Sequence, residues 1–154
     1  MNDRAQNHTA TIAECITQLL KKMQIDATVE EGLIGDTVTL TVRTPEAGLL
    51  IGDEGQHLFA FNYLLKKIVE RQLPEAPHFI VDVNDYQRRR FEELRDQARM
   101  GAQRVRYFKK EVMLDPMTAF ERRLVHLTLQ EYPDITTEST GTGPERKVVI
   151  KPYP

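Results

Sequence analysis

Residues 48–61 read GLLIGDEGQHLFAF: a short apolar run, two glycines three apart, then a run in which Leu58 and Phe61 return at helical spacing. Gly52 and Gly55 interrupt what would otherwise be one helix, since glycine reaches backbone conformations closed to other residues. The stretch predicts helix, tight turn, helix. Towards the C-terminus, Leu65, Ile68 and Leu73 continue the inward face of the second helix until Pro74 and Pro77 close it. Phe79 to Val83 follow as a strand whose Ile80, Val81 and Val83 suit a sheet interior. Towards the N-terminus, Pro45 opens the short helix and strict alternation at Val38, Leu40 and Val42 marks a strand. A looser extended run from Ala27 to Glu31 pairs with it around a turn at Gly32 to Gly35, and Ile12, Ile16, Leu19 and Met23 mark an amphipathic helix before both. The order is α-β-β-α-α-β.

Beyond this unit, residues 86–110 are compatible with helix but mostly polar, with Leu94, Ala98 and Val105 as a sparse apolar line. Such a helix is expected to pack weakly and to serve as a connector. Glu111 to Leu114 read as a short strand, Pro116 as the start of a helix running to about Glu131, and Ile135 to Ser139 with Lys147 to Lys151 as a hairpin around Gly141 to Pro144. The fold class is therefore α+β. An α-β-β-α-α-β unit over 8–84 is joined by a basic helix over 85–110 to a small β-α-β-β unit over 111–154.

With 40% hydrophobic and 29% charged residues in 154, the chain has ordinary globular proportions. The N-terminus shows no signal-peptide pattern and no apolar run approaches membrane-spanning length, so a cytoplasmic protein without membrane insertion is expected. The single cysteine, Cys15, lies among Ile12, Ile16 and Leu19 and reads as core packing. The net charge of −2 conceals a strong asymmetry. Residues 1–85 carry 7 Lys/Arg against 13 Asp/Glu, residues 86–123 carry 11 against 6, and residues 124–154 carry 3 against 4. Local potential decides where a polyanion docks, so the middle segment is the place to look for one.

Two motifs stand out. Gly52 and Gly55 would let a ligand's backbone approach closely, but a helix-to-helix turn with acids at the next helix's N-terminus explains them equally well. On the later helix, Met117, Phe120, Leu124 and Leu127 form a stripe expected to face the core. Arg122 and His126 then fall opposite it, presented outward with Arg123 at the margin, where guanidinium and imidazole can engage one phosphate or stack on a base. An ordinary solvated face is the plain reading of such a pair. Arg88, Arg89, Arg90, Arg95 and Arg99 are read as largely paired with Glu92, Glu93 and Asp96, whereas Arg104, Arg106, Lys109 and Lys110 are the choice for a phosphate track. His8, His57 and His78 have no metal-ligand spacing, and no phosphate-binding, nucleophile-elbow or dinucleotide fingerprint is present. No metal, cofactor or catalytic residue is expected. A phosphodiesterase using His126 beside Arg122 would require a second positioned acid or base, and none is evident.

The α-β-β-α-α-β order around Gly52-Asp53-Glu54-Gly55 resembles the type II (prokaryotic) KH domain, in which a G-x-x-G loop clamps the nucleic-acid backbone. In that family the middle positions usually include a basic residue; here both are acidic. MLDPMTAFERRLVHLTLQ followed by ITTEST and RKVVIKPY resembles, across 108–153, the small nucleic-acid-binding domain named for its Arg-x-x-x-His pair. The two in this order are similar to the SpoIIIJ-associated (Jag) family. That resemblance implies a bacterial RNA-binding protein, a post-transcriptional regulator linked to cell elongation or envelope, binding through Arg122 and His126; the outward face of the pair, with the charge of Arg123 at its margin, points to a single strand. Single-stranded DNA is the related ligand, and a homodimer or a small KH-domain protein is the implied protein partner. The family's usual separate N-terminal domain is expected to be lacking, because the sequence starts almost at the KH helix. The alternative is a protein-interaction module in which the acidic KH-like half makes the contacts.

Overall fold

Strand β2 (Thr37–Arg43) organises the first unit because it pairs on both edges. Strand β1 (Thr28–Ile34) joins it antiparallel, with Thr28 opposite Arg43 and Ile34 opposite Thr37, and strand β3 (Phe79–Val83) joins it parallel, with Val38 opposite Phe79. A parallel pair needs a long crossover. Helices α2 (Ala47–Ile51) and α3 (Gln56–Gln72) supply it, and helix α1 (Asp3–Lys22) precedes the hairpin. The computed structural model describes residues 3–154.

Leu40, Val42, Val81 and Val83 of the sheet are sealed against Ile12, Ile16 and Leu20 of α1 and Leu58, Phe61, Leu65 and Val69 of α3. Strand β3 is an edge, and its outward backbone groups are met by a side chain. The Asn62 carboxamide accepts from the Val81 N–H and donates to the Val81 carbonyl, both at 2.8 Å. Two sequence expectations shift here. Gly32 lies inside β1 and the chain turns at Gly35 and Asp36, and Met23 is exposed while Leu20 takes the inward position on α1.

The second unit spans Arg89–Pro154 and the first Met1–Arg88, so all but the first three residues of helix α4 (Tyr86–Phe108) belong to the second. The connector reading of α4 underestimates its packing. Leu94, Ala98, Ala102 and Val105 are buried with Val125 and Leu129 of helix α5 (Ala119–Leu129) and with Val148 and Ile150. Gly101 permits the approach, since a Cβ there would stand 2.7 Å from Ile150 Cδ1. The small residues that allow close packing carry little apolar signal, which is why the helix reads as polar. Strands β4 (Val112–Met113), β5 (Ile135–Thr140) and β6 (Lys147–Pro152) form an antiparallel sheet in the order β4-β6-β5.

Helix α5 starts at Ala119, not at Pro116. Thr118 accepts from the Glu121 N–H at 3.3 Å and the Glu121 carboxylate accepts from the Thr118 N–H at 2.8 Å, a reciprocal cap that satisfies two orphan donors. Arg90 holds the other Glu121 oxygen at 3.1 Å, and Phe91 packs on Phe120 with centroids 5.0 Å apart. The start of α5 is thus tied to α4.

Candidate nucleic-acid interface

The inward face of α5 is only partly the one the stripe suggested: Met117, just before the helix, is buried in the core and Leu124 packs against it, but the deepest residues of the helix are others. Val125 and Leu129 are sealed, Leu124 is half-buried, and Leu127 is exposed, lining an open groove with Arg95 and Arg99. The helix carries apolar residues on two sides, and the expected stripe marks its flank along α4. Arg122 and His126 therefore lie at the margin of the buried side, both half-buried, instead of standing opposite it.

His126 rests on edge strand β5. Its Nδ1 lies 2.6 Å from Thr137 Oγ1 and its Nε2 2.9 Å from Ser139 Oγ. Thr137 and Ser139 alternate along the strand and stand opposite Ile150 and Val148 of β6, so both hydroxyls point to the face on which α5 packs. A neutral imidazole donates through one nitrogen and accepts at the other, and each hydroxyl can take either role. Burial, reinforced by the positive charge of Arg122, lowers the His126 pKa from its ordinary 6.5. Near neutral pH the ring is therefore uncharged, and a phosphate reaching it must compete with Thr137 and Ser139. The charge of the pair comes from Arg122. One of its N–H groups donates to the Met117 carbonyl at 2.8 Å, which fixes the guanidinium and leaves its other donors for a ligand.

Arg123 is exposed and makes no ion pair among the described residues. Arg104, Lys109 and Lys110 are likewise exposed without ion pairs among the described residues. Arg106 differs. Its Nε donates to Asp134 at 2.6 Å and its guanidinium lies 5.7 Å from the centre of the Tyr132 ring. Burial works to raise the Asp134 pKa, but the Arg106 hydrogen bond and the nearby Lys109 outweigh it, so the carboxyl is held below its ordinary range. Arg106 is thus largely committed within the protein, and the available cations of the expected track are Arg104, Lys109 and Lys110. Upstream, Arg99 pairs with Asp96 as read from the sequence, whereas Arg90 reaches Glu121 and Arg88 pairs with Asp85.

Gly52 and Gly55 lie in the first unit, at a turn whose geometry requires them. Gly52 has φ 71 and ψ −174, and a Cβ there would fall 2.5 Å from the His57 ring, which is held by its Nδ1 on the Leu49 carbonyl at 2.8 Å. Gly55 has φ 79, and its Cβ would meet the Tyr86 ring at 3.1 Å. Asp53 and Glu54 are exposed at the tip. Cys15 is half-buried on α1, where burial raises its thiol pKa. Among the described residues no group of three or more His, Cys, Asp or Glu side chains could hold a metal, and no helix is long and apolar enough to cross a membrane.

Sequence reasoning missed Thr137 and Ser139. The alternating hydroxyls of ITTEST were the available signal, since period two on an edge strand places them on one face.

The Arg-x-x-x-His (R-x-x-x-H) domain family matches residues 92–152, a span that begins within α4 and not at 111. RNA-binding protein KhpB of Bacillus subtilis is 34% identical over 149 residues, covering 96% of this chain and 68% of the relative. RNA-binding protein KhpB of Lactiplantibacillus plantarum is 33% identical over 149 residues, covering 96% of this chain and 46% of the relative. The Clostridium symbiosum protein of the same name is 32% identical over 128 residues, covering 83% and 58%. The chain spans about half the length of these last two relatives.

Proposed function

The chain belongs to the family of RNA-binding protein KhpB, and from that premise we propose that it binds single-stranded RNA through the Arg122 and His126 margin of its second unit. The observation that carries the reading is the fixed guanidinium of Arg122 beside a neutral imidazole seated on two hydroxyls. Such a surface offers a phosphate one strong cation and directional donors, and it offers a base a flat ring. In this reading the protein is a cytoplasmic bacterial post-transcriptional regulator of cell elongation or envelope, binds without catalysing, and accepts single-stranded DNA as a related ligand. The first unit, with its α-β-β-α-α-β order, is read as a type II KH domain whose Gly52 to Gly55 turn corresponds to the family's clamp.

Binding should be electrostatic and directed to single strands, because the exposed cations Arg104 and Arg123 lie on helices, Lys109 and Lys110 lie in the turn that follows α4, and guanidinium and imidazole can meet both phosphate and base. Fluorescence anisotropy across a salt series is expected to show affinity falling steeply with salt, and weaker binding to a duplex than to the matching single strand. Tighter duplex binding would overturn the reading.

A second reading, contact with another protein through the first unit, is favoured by one observation. The clamp position carries two exposed carboxylates, and Leu49, Phe59 and Tyr63 on α2 and α3 are exposed as well. A second copy of this chain or a small KH-domain protein is the fitting partner. Replacing Asp53 and Glu54 by lysine is expected to change sedimentation or partner binding while RNA affinity gains a modest, nonspecific increment. A gain confined to RNA, with a larger salt slope and unchanged sedimentation, would restore the loop as a phosphate site.

A further inference from the structure

The end of helix α4 and the turn after it read Arg104-Val105-Arg106-Tyr107-Phe108-Lys109-Lys110. Val105 is sealed in the core, and Lys109, at φ 56 with its N–H on the Val105 carbonyl at 2.8 Å, terminates the helix in a left-handed turn. The two aromatic residues just before that turn face solvent. Tyr107 is 82% exposed and Phe108 61%, with ring centroids 4.8 Å apart at 79°. Large aromatic rings left in water forgo the stabilisation that burial gives, so an edge-to-face pair this open is a surface available for a flat partner. Arg104, Lys109 and Lys110 flank it without ion pairs among the described residues, and one oxygen of the Asp134 carboxylate, which lies near Lys109, is taken by Arg106. An aromatic pair among available cations matches the chemistry of a single-stranded nucleic acid, a base over the ring and its phosphates on the lysines, better than that of an apolar protein surface.

We infer that Tyr107 and Phe108 form a base-stacking subsite at the end of α4, with Lys109, Lys110 and Arg104 holding the adjoining phosphates. The inference rests on the RNA-binding reading above and adds to the Arg122 and His126 margin a second place where a strand is held, one that contributes stacking where the first contributes charge and hydrogen bonds.

The test compares wild type, Y107A/F108A, Y107W/F108W and K109Q/K110Q on a single-stranded oligouridine and on an abasic oligonucleotide of equal length, across a salt series. The alanine pair is expected to weaken oligouridine binding about tenfold with an unchanged salt slope, as for loss of roughly one stacked base, and to leave abasic binding as it was. The tryptophan pair should retain wild-type affinity, and the lysine variant should reduce the salt slope by about 1.4, at about 0.7 for each of two phosphates on a single strand. Equal losses on both oligonucleotides, or no loss in the alanine pair while wild type binds oligouridine, overturn the stacking site and leave the RNA-binding reading standing. Unchanged RNA affinity with altered sedimentation assigns the aromatic pair to a protein contact and also overturns it. Wild type that fails to bind either oligonucleotide removes the RNA-binding reading itself, and the subsite with it.

Discussion

Replacing Asp82 by alanine is expected to destabilise the first unit by about 3 kcal/mol, measured as a lower midpoint in urea unfolding. Asp82 is fully buried at the end of β3 and its two oxygens accept three backbone N–H groups: Val83 at 2.7 Å, Gln87 at 2.8 Å and Arg88 at 3.1 Å. The last two belong to the first turn of α4, where helical N–H groups have no partner within the helix and the dipole favours negative charge. Alanine would leave these donors unsatisfied beside a cavity, and both penalties act in the same direction. Asparagine keeps the shape but offers one acceptor oxygen for two, so an intermediate loss is expected. A loss below about 1 kcal/mol for the alanine variant would mean that water or a shifted backbone satisfies the donors equally well.

Replacing Arg122 and His126 together by alanine should weaken binding to single-stranded RNA at least tenfold, about 1.4 kcal/mol, in a variant that still folds but melts lower through loss of the Met117, Thr137 and Ser139 contacts. The single substitutions separate the two roles. Arg122→Gln removes a charge and should lower the salt slope by about 0.7 for each phosphate that it neutralises. His126→Gln, tested near neutral pH, should weaken binding with the slope unchanged, because the ring it removes is neutral there. The pH dependence has a definite sign. With its pKa lowered from 6.5, His126 gains a proton only as the pH falls below that ordinary value, and the wild-type salt slope should then steepen in a way the glutamine variant does not. The same shift makes the native state less stable on acidification, since the neutral form is the one the fold favours: this contribution is present above pH 6.5 and lost as pH falls through the lower native value. Unchanged RNA affinity in a double variant that still unfolds cooperatively would move the binding surface elsewhere, and loss of folding would make the pair structural.

The succession of helices and strands was legible where β2 alternates and where turns fall at glycine and proline. Val38, Leu40 and Val42 alternate in the sequence, and Leu40 and Val42 are sealed in the structure. The phase of α5 was not legible. Phe120, Leu124 and Leu127 form as good a stripe on paper as Val125 and Leu129 do in the fold, and the choice depends on where β5 and α4 lie, which no local pattern contains. The choice of Arg122 and His126 as candidate site residues came from the motif. Their surroundings came from tertiary structure: a carbonyl for one, two hydroxyls for the other. The role of α4 was underread for a related reason, since Ala98, Gly101 and Ala102 matter for what they leave room for.

The register of the β5–β6 hairpin has a consequence for how this surface can evolve. Along β5 the side chains facing His126 are hydroxyls, and the residue between them, Glu138, is held on the opposite face by Lys151. Strand faces alternate with a period of two, so a single-residue insertion or deletion in the turn that lets β5 slip by one position would rotate Glu138 under the imidazole and turn both hydroxyls away. A carboxylate beside the ring would favour the imidazolium and neutralise Arg122, converting a phosphate-seeking margin into an internal ion pair. The turn from Gly141 to Arg146 is closed tightly, with Gly141 at φ 90 and no room for a Cβ against the Glu145 carbonyl. Arg122 supplies the charge of the margin and loop length decides which residues of β5 stand beside it, so length changes in this turn should be far less tolerated than substitutions at its exposed positions.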